Sequence, residues 1–303
     1  MVVGVFGPTA SGKTAVAEAL ADRLGGELVS ADAMQAYRGL PILTNQSERP
    51  ARLVGVWPLD HEASVGEYQE LAHSAVDEIV DAGNTPIVVG GTGLYLRAAL
   101  AGLELPPPAP AGTRSRLERL YDRLGPERAH AALAKRDAAA AARVHENDRR
   151  RVVRALELAE LGASLAPASD TLWGEAYRHP TLVVGLDVPR DELASRIETR
   201  TRSMVERGVL EEVRTALAGS VSQTALTIHG LRDFAELPLE EAIETYNRRV
   251  RRYAAYQHKW MRRIPGVVII DANRPTTEVA DEIVALARAR ERVPGDGAVQ
   301  ADA

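Results

Sequence analysis

Short apolar runs alternate with longer helical patterns in the first hundred residues of the chain. The runs at residues 2–6, 27–30 and 86–89 are rich in β-branched side chains and are bounded by turn residues, which is typical of buried parallel strands. Between them, residues 13–24 and 68–82 carry apolar side chains at helical spacing. The order strand, helix, strand, helix, strand predicts an α/β domain with a parallel sheet.

A proline-rich segment at residues 105–110 interrupts this alternation. Helical patterns without a convincing strand follow it, at residues 114–124, 129–143 and 150–161. Strand patterns return at 181–187 and 267–270, and two long helical patterns lie near 191–217 and 239–264. The chain is therefore predicted to divide into a core of residues 1–106 and 181–290, a helical insertion at 107–180, and a disordered tail at 291–303.

Composition narrows the class of protein. A chain of 303 residues that is 45% hydrophobic can bury a sizeable core, and its lack of cysteine removes disulfides, thiolate metal sites and cysteine nucleophiles. No apolar run approaches the ~20 residues that span a bilayer, and the first residues resemble a strand more than a signal peptide. We expect a monomer in the cytoplasm that makes no membrane contact.

The segment Gly7-Pro-Thr-Ala-Ser-Gly-Lys-Thr14 matches the phosphate-loop pattern GxxxxGK(S/T) between a predicted strand and a predicted helix. Backbone N–H groups and the helix N-terminus can surround an anion, Lys13 adds positive charge, and the Thr14 hydroxyl can bind Mg²⁺. The predicted diphosphate-binding residues are Gly7, Pro8, Thr9, Ala10, Ser11, Gly12, Lys13 and Thr14. The pattern leaves ATP, GTP and other diphosphates open.

Asp32 ends the second predicted strand segment. A carboxylate at this position can bind Mg²⁺, cap the following turn or accept a proton in catalysis. The residue type and position leave these three roles open.

The helical pattern at residues 239–264 carries a basic stripe with no acidic residue between positions 247 and 263. Its basic residues are Arg248, Arg249, Arg251, Arg252, Lys259, Arg262 and Arg263. A face that can pack on the core is formed by Ile243, Tyr246, Val250, Tyr253, Gln257, Trp260 and Ile264. Because the whole chain has a net charge of −5, this stripe is a local patch on an acidic background, and repulsion within it favours a polyanionic partner.

Several motifs occur in a characteristic order. They are the phosphate loop, Ser30-Ala-Asp-Ala-Met-Gln-Ala-Tyr-Arg-Gly39, Val89-Gly-Gly-Thr-Gly-Leu-Tyr95, Asn147-Asp-Arg-Arg-Arg-Val-Val-Arg-Ala-Leu-Glu157, and the segments 196–208 and 253–262. Together they resemble the tRNA dimethylallyltransferase family over nearly the whole chain. The resemblance implies transfer of a dimethylallyl group from its diphosphate to N6 of the adenosine beside the anticodon of tRNA.

The resemblance also implies roles for individual residues. Asp32 takes the position of the general base, and Thr9 and Arg200 take positions that contact the diphosphate. The positions implied to contact the tRNA anticodon stem-loop are Asp32, Ala33, Met34, Gln35, Thr92, Arg114, Arg150, Arg151, Arg154, Arg232, Arg251, Arg252 and Gln257. Several of them lie in the helical insertion, which is therefore expected to touch tRNA.

Some positions depart from the family pattern. Ala33 stands where serine is common, residues 40–47 lack the usual Gly-Thr-Ala-Lys-Pro, and Ala255-Tyr256-Gln257 replaces Lys-Arg-Gln. Residues 227–232 lose the usual tyrosine. Because these changes fall mainly on the RNA side, three alternatives stay open: an adenylate dimethylallyltransferase acting on a free nucleotide, a small-molecule kinase, and a non-catalytic RNA-binding relative.

Overall fold

A computed structural model describes residues 1–106, 109–110, 112–166, 171–174 and 176–292. The chain forms two compact units, one made of Met1–Gly102 with the segment from residue 175 onward, the other of Leu103–Gly174. These boundaries differ by a few residues from the expected insertion at 107–180. Of the expected disordered tail, residues 291 and 292 instead complete the last helix, and residues 293–303 lie outside the described part.

The larger unit is built on a five-stranded parallel sheet with the strand order β2-β3-β1-β4-β5. The strands are β1 (Val2–Phe6), β2 (Gly26–Ser30), β3 (Thr85–Gly90), β4 (Thr181–Asp187) and β5 (Val268–Asp271). All five residues of β1 are buried, as expected for a central strand covered by helices on both faces. The predicted α/β class and parallel sheet are confirmed.

The helices in the described residues are α1 (Lys13–Leu24), α2 (Val65–Asp81), α3 (Gly93–Leu100), α4 (Thr113–Leu124), α5 (Pro126–Arg136), α6 (Ala138–Ala141), α7 (Arg149–Glu160), α8 (Arg190–Glu206), α9 (Val209–Leu217), α10 (Asp233–Glu236), α11 (Leu239–Met261) and α12 (Thr276–Arg292). The smaller unit contains α4 to α7 around a core that includes Leu117, Leu133 and Leu156.

Two predicted helices are each divided in the structure. The pattern at 191–217 breaks between α8 and α9, where Gly208 adopts a φ of 92°. The pattern at 129–143 breaks at Asp137, whose side chain accepts a hydrogen bond from Ala140 N and so caps α6. Apolar periodicity runs through both breaks because the faces on either side remain buried, so periodicity alone did not reveal them.

Helix α3 was absent from the prediction for a related reason. Nearly all of its eight residues are buried, including the side chain of Arg97. A helix that is buried all round lacks the alternation of apolar and polar faces on which amphipathic helices are recognised. Helix α12 was also missed, although it packs against α1 and closes one side of the sheet.

The carboxyl ends of the parallel strands bring three turns to one edge of the sheet: those after β1, β2 and β3. The turns after β2 and β3 approach closely, because Ala31 N donates to Val89 O at 2.7 Å and Thr92 N donates to Ala31 O at 3.4 Å. A Cβ atom on Gly90 would lie 2.1 Å from Ala31 O. Glycine is therefore required where β3 passes the turn that carries Asp32.

We expect Gly90→Ala to lower the free energy of unfolding by about 1–3 kcal/mol, because the added methyl group must displace backbone. Urea unfolding followed by circular dichroism measures this change. The control is Gly219→Ala, since a Cβ at Gly219 meets no atom within 4 Å and its φ is not left-handed. Equal unfolding midpoints for the two variants would contradict the steric argument.

Candidate active site

The phosphate loop runs from the end of β1 to the start of α1. Ala10 and Gly12 adopt left-handed φ angles of 65° and 84°, which turn the chain sharply before the helix. Gly12 is the N-cap of α1 and provides no side-chain cap, so the first N–H groups of the helix are left for a ligand. A helix N-terminus of this kind favours a bound anion.

Lys13, Arg200 and Asp32 line one cavity beside this loop. Burial lowers the pKa of Lys13 to about 8; the Asp32 carboxylate opposes that shift, and the Arg200 guanidinium adds to it. Within the described residues, the buried Nε of Arg200 and the buried Oγ of Ser11 have no hydrogen-bond partner. Two cations and unsatisfied donors around one loop fit a highly charged anion such as a diphosphate.

A second cavity adjoins the first. Five residues line both cavities: Thr9, Asp32, Thr44, Asn45 and Arg200. Asp32 therefore lies where the two cavities meet, and its Oδ1 is oriented by a hydrogen bond from Met34 N at 3.0 Å. A carboxylate in this place can act on a group in either cavity.

The second cavity has an aromatic wall. The rings of Tyr253 and His229 meet edge to face, with centroids 4.9 Å apart. The Tyr253 hydroxyl lies 3.4 Å from Thr92 Oγ1, which in turn accepts a hydrogen bond from Ala33 N. Burial raises the pKa of Tyr253 and lowers the pKa of His229, so both rings are neutral near pH 7. Flat neutral faces beside a carboxylate suit a nucleobase.

Gln257 connects the loop to the rest of the site. Its Oε1 accepts from Thr9 N at 2.8 Å and its Nε2 donates to Gly91 O at 2.8 Å. The side chain is buried, and a Cβ on Gly91 would lie 2.2 Å from Gln257 Nε2. The resemblance implied a tRNA contact here, but both polar ends of this side chain hold the backbone of the site, so the geometry favours a positioning role.

Gln35 and Glu212 fix the segment that carries Thr44 and Asn45. Gln35 Nε2 donates to the carbonyls of both residues at 3.2 Å, and the Glu212 carboxylate accepts from the N–H groups of Ile42 and Leu43 at 2.7 Å. The sequence placed residues 40–47 mainly on the RNA side, but Thr44 and Asn45 line both cavities. The role of Glu212 was not predicted because its carboxylate comes from α9, far along the chain. The polar run at 44–47 was the available signal.

The arginines predicted to contact tRNA differ in their surroundings. In the smaller unit, Arg114 and Arg154 pair with the fully buried Glu157 at 2.9 Å and 3.0 Å, which gives them a structural role there. Arg151 lies 3.6 Å from Asp148, and Arg150 is exposed.

In the larger unit, the predicted basic stripe of α11 is partly neutralised. Arg251 pairs with Glu198 at 3.0 Å and Arg249 with Asp233 at 3.2 Å. Arg252 and Arg232 are exposed and form no ion pair within the described part of the chain. The stripe is therefore less uniform than the sequence suggested, because acidic side chains from α8 and α10 reach it.

The residues present fit a magnesium ion held together with substrate. The Thr14 hydroxyl lines the same cavity as Lys13, and a hydroxyl oxygen together with substrate oxygens suits Mg²⁺. Among the residues that the structure describes, no three histidine or acidic side chains come together in a way that could hold a metal.

No described helix is long and apolar enough to cross a membrane.

A phosphate loop that shares a carboxylate with an adjoining aromatic cavity is typical of an α/β enzyme that binds a phosphorylated ligand. Residues 35–264 match the family model described as IPP transferase, and residues 1–52 match the model described as isopentenyl transferase. The chain belongs to the IPP transferase family and is a transferase. The resemblance inferred from the motifs is confirmed.

Relatives described as tRNA dimethylallyltransferases are similar over most of the chain. The protein of Corynebacterium jeikeium is 38% identical, with 90% of this chain and 92% of the relative aligned. The protein of Anaeromyxobacter dehalogenans is 42% identical, with 89% and 94% aligned. The crystal structure of the tRNA isopentenylpyrophosphate transferase of Bacillus halodurans superposes with a TM-score of 0.68 at 32% identity and covers 96% of this chain and 98% of its own.

We expect the affinity for diphosphate to fall as pH rises above about 8, because Lys13 loses its charge there. A bound anion raises the pKa of Lys13, so binding above pH 8 requires proton uptake, and affinity can fall by up to about tenfold per pH unit. Calorimetric titration with diphosphate from pH 7 to 9.5 without Mg²⁺ measures this.

Lys13→Arg is the control, since arginine keeps its charge throughout this range and should give a flatter profile. Diphosphate itself gains negative charge as pH rises, which should strengthen binding. Weaker binding at high pH therefore has to come from a change in the protein. A pH profile of the unsubstituted protein that matches the profile of Lys13→Arg would contradict a role for the Lys13 charge.

Proposed function

We propose that this enzyme transfers a dimethylallyl group from dimethylallyl diphosphate to N6 of the adenosine next to the anticodon in tRNA. The observation that carries the proposal is the position of Asp32, which lines both the cavity of the phosphate loop and the cavity with the aromatic wall. The relatives described as tRNA dimethylallyltransferases support the same reaction.

The two cavities suit the two substrates of this reaction. The diphosphate would occupy the loop side, where Lys13 and Arg200 supply positive charge. The acceptor adenine would enter the side lined by Tyr253 and His229. A base in an anticodon loop must leave its stack to reach such a cavity, and an aromatic wall compensates part of the lost stacking.

The chemistry assigns Asp32 the role of general base. The adenine amino group is a weak nucleophile because its lone pair is delocalised into the ring, so a carboxylate that accepts its proton during attack lowers the barrier. The new N–C bond forms as the C–O bond to diphosphate breaks, the bonding electron pair leaves with the diphosphate, and the proton passes to Asp32. The atoms and charges of the step then balance.

Charge on the leaving group is stabilised by the loop. Negative charge grows on the diphosphate as the C–O bond breaks, so Lys13, Arg200 and the N–H groups at the start of α1 stabilise the transition state more than the ground state. Thr9, whose N–H is held by Gln257, lies beside both cavities. Mg²⁺ bound with Thr14 would add positive charge to the diphosphate.

The proposed partners are the tRNA anticodon stem-loop and dimethylallyl diphosphate, and the proposed location is the cytoplasm. The absence of cysteine throughout the sequence is in keeping with a reducing compartment. The monomeric state stays a prediction.

One experiment separates this function from its alternatives. Purified protein is incubated with dimethylallyl diphosphate and either tRNA or adenosine monophosphate, and with ATP in place of the prenyl donor, and the products are analysed by mass. We expect prenylated adenosine only in tRNA with the prenyl donor. Prenylated mononucleotide, phosphoryl transfer from ATP, or no product under any condition would support a free-nucleotide transferase, a kinase or a non-catalytic relative, respectively.

We expect Asp32→Asn to lower turnover at saturating substrates by about 10²-fold or more, the usual scale for losing a general base. Asparagine keeps the hydrogen bond from Met34 N but cannot accept the proton. Steady-state kinetics at saturating tRNA and prenyl donor measures the effect, and an unchanged circular dichroism spectrum serves as the control for an intact fold. Near-normal turnover would show that Asp32 only caps its turn and is not the general base.

We expect Arg252→Ala to flatten the salt dependence of tRNA binding by about one unit of logarithmic slope, the amount expected for one lost phosphate contact. Arg251→Ala is the matched comparison, since Arg251 is already paired with Glu198 and should lose less. Binding isotherms at several salt concentrations give both slopes. An unchanged slope in Arg252→Ala would show that this arginine does not contact phosphate.

A further inference from the structure

Tyr256 is an exposed aromatic residue on α11. The residue is 53% exposed, more than the other exposed large hydrophobic residues in the described part of the chain, such as Ile269 at 46%. The residue also differs from the arginine that the family pattern has at this position. A single exposed apolar side chain needs no explanation by itself, so its neighbours decide what it can do.

The rings next to Tyr256 lead back to the aromatic cavity. Tyr253, one turn earlier on α11, is nearly parallel to Tyr256, with an interplanar angle of 25° and centroids 6.5 Å apart. Tyr253 itself lines the cavity that contains Asp32. On the other side, the Trp260 ring lies 6.4 Å from Tyr256 at 69° and packs closely over Gly93. Aromatic faces therefore run from the acceptor cavity to the surface of α11.

Two cations flank Tyr256 on the exposed side of the helix. Arg252 precedes it by four residues and Lys259 follows it by three, so all three side chains lie on one face. Both cations are exposed, and neither forms an ion pair among the residues that the structure describes. An exposed ring between cations is the pattern by which proteins hold single-stranded RNA: the rings stack on bases and the cations contact the backbone.

We propose that Tyr256 stacks on a nucleobase of the anticodon loop next to the acceptor adenosine. This inference rests on the proposed function, since it takes the acceptor to be a nucleotide within RNA. In this arrangement, the extruded adenine enters the cavity beside Tyr253, and the neighbouring base stays outside and stacks on the ring of Tyr256. Arg252 and Lys259 contact the adjoining phosphates. Tyr256 is then a positioning residue that orients the RNA and takes no part in the chemistry.

The test compares four variants of the full chain: Tyr256→Ala, Tyr256→Leu, Tyr256→Phe and Tyr256→Trp. Leucine keeps apolar bulk but has no π face, whereas phenylalanine and tryptophan keep one. The RNA is an anticodon stem-loop, with 2-aminopurine placed in turn on either side of the acceptor adenosine. We expect binding to quench one of the two labels in the unsubstituted protein, in Tyr256→Phe and in Tyr256→Trp, but not in the alanine and leucine variants.

Kinetics provides a second readout. We expect the KM for RNA to rise roughly 5- to 150-fold in Tyr256→Ala and Tyr256→Leu, the range for losing one stacked base. Turnover at saturating RNA and the KM for dimethylallyl diphosphate should stay unchanged, because the ring does not reach the loop cavity. Leu239→Ala, an exposed apolar residue in the first turn of the same helix, is the control for general effects.

The outcomes separate this inference from the proposed function. If the unsubstituted protein prenylates RNA and the leucine variant matches the phenylalanine variant in both readouts, the stacking proposal is overturned and the proposed function stands. If alanine leaves the KM for RNA and the fluorescence unchanged, the stacking proposal is likewise overturned. Absence of transfer to RNA by the unsubstituted protein would overturn the proposed function, while the fluorescence measurement would still decide the stacking.

Discussion

The buried amide of Gln257 is the interaction on which the arrangement of the site depends. It accepts from the phosphate loop at Thr9 N and donates to the turn after β3 at Gly91 O, and it extends from α11. One side chain thus joins two turns of the sheet to the helix that carries the aromatic wall. Leaving this buried amide without either partner would cost about 1–3 kcal/mol of folding stability. The two hydrogen bonds therefore fix the position of the phosphate loop relative to α11. The same two hydrogen bonds set the distance between the phosphate loop and the cavity with the aromatic wall.

A second constraint is electrostatic. The site gathers Lys13 and Arg200 in a partly buried place with Asp32 as the neighbouring carboxylate, and burial lowers the pKa of Lys13 to about 8. Such a cluster costs folding free energy in the free protein, since a desolvated cation is unfavourable and a second cation repels it. A bound anion would remove much of that cost. Because the charged form of Lys13 is disfavoured in the free protein, an anionic ligand that stabilises this charge should bind more strongly.

Electrostatics also distinguishes arginines that look alike in sequence. Arg114 and Arg154 are held by the buried Glu157, and removing either partner of such a pair leaves a buried charge without compensation. Arg252, by contrast, is exposed beside an exposed ring. An exposed arginine such as Arg252 stays hydrated, so its charge costs little folding free energy. Salt can screen its attraction to phosphate groups. The ion pairs give Arg114 and Arg154 a role in the core of the smaller unit, and their contact with tRNA stays a prediction.

Local chemistry in the sequence determined much of this protein. The phosphate loop, the strands β1 to β5 and the position of Asp32 at a strand end follow from residue type, turn chemistry and periodicity, which act over a few neighbours. The fully buried α3, the break at Gly208 and the division of α5 from α6 did not, because burial hides the polar face and the apolar pattern runs across the breaks. Only the tertiary structure decided that Gln257 holds the loop, that Glu212 fixes the segment at Thr44 and Asn45, and which arginines are paired. Each of these depends on a hydrogen bond or ion pair between residues far apart in the chain, and such contacts form only when the parallel sheet brings separate turns to one edge.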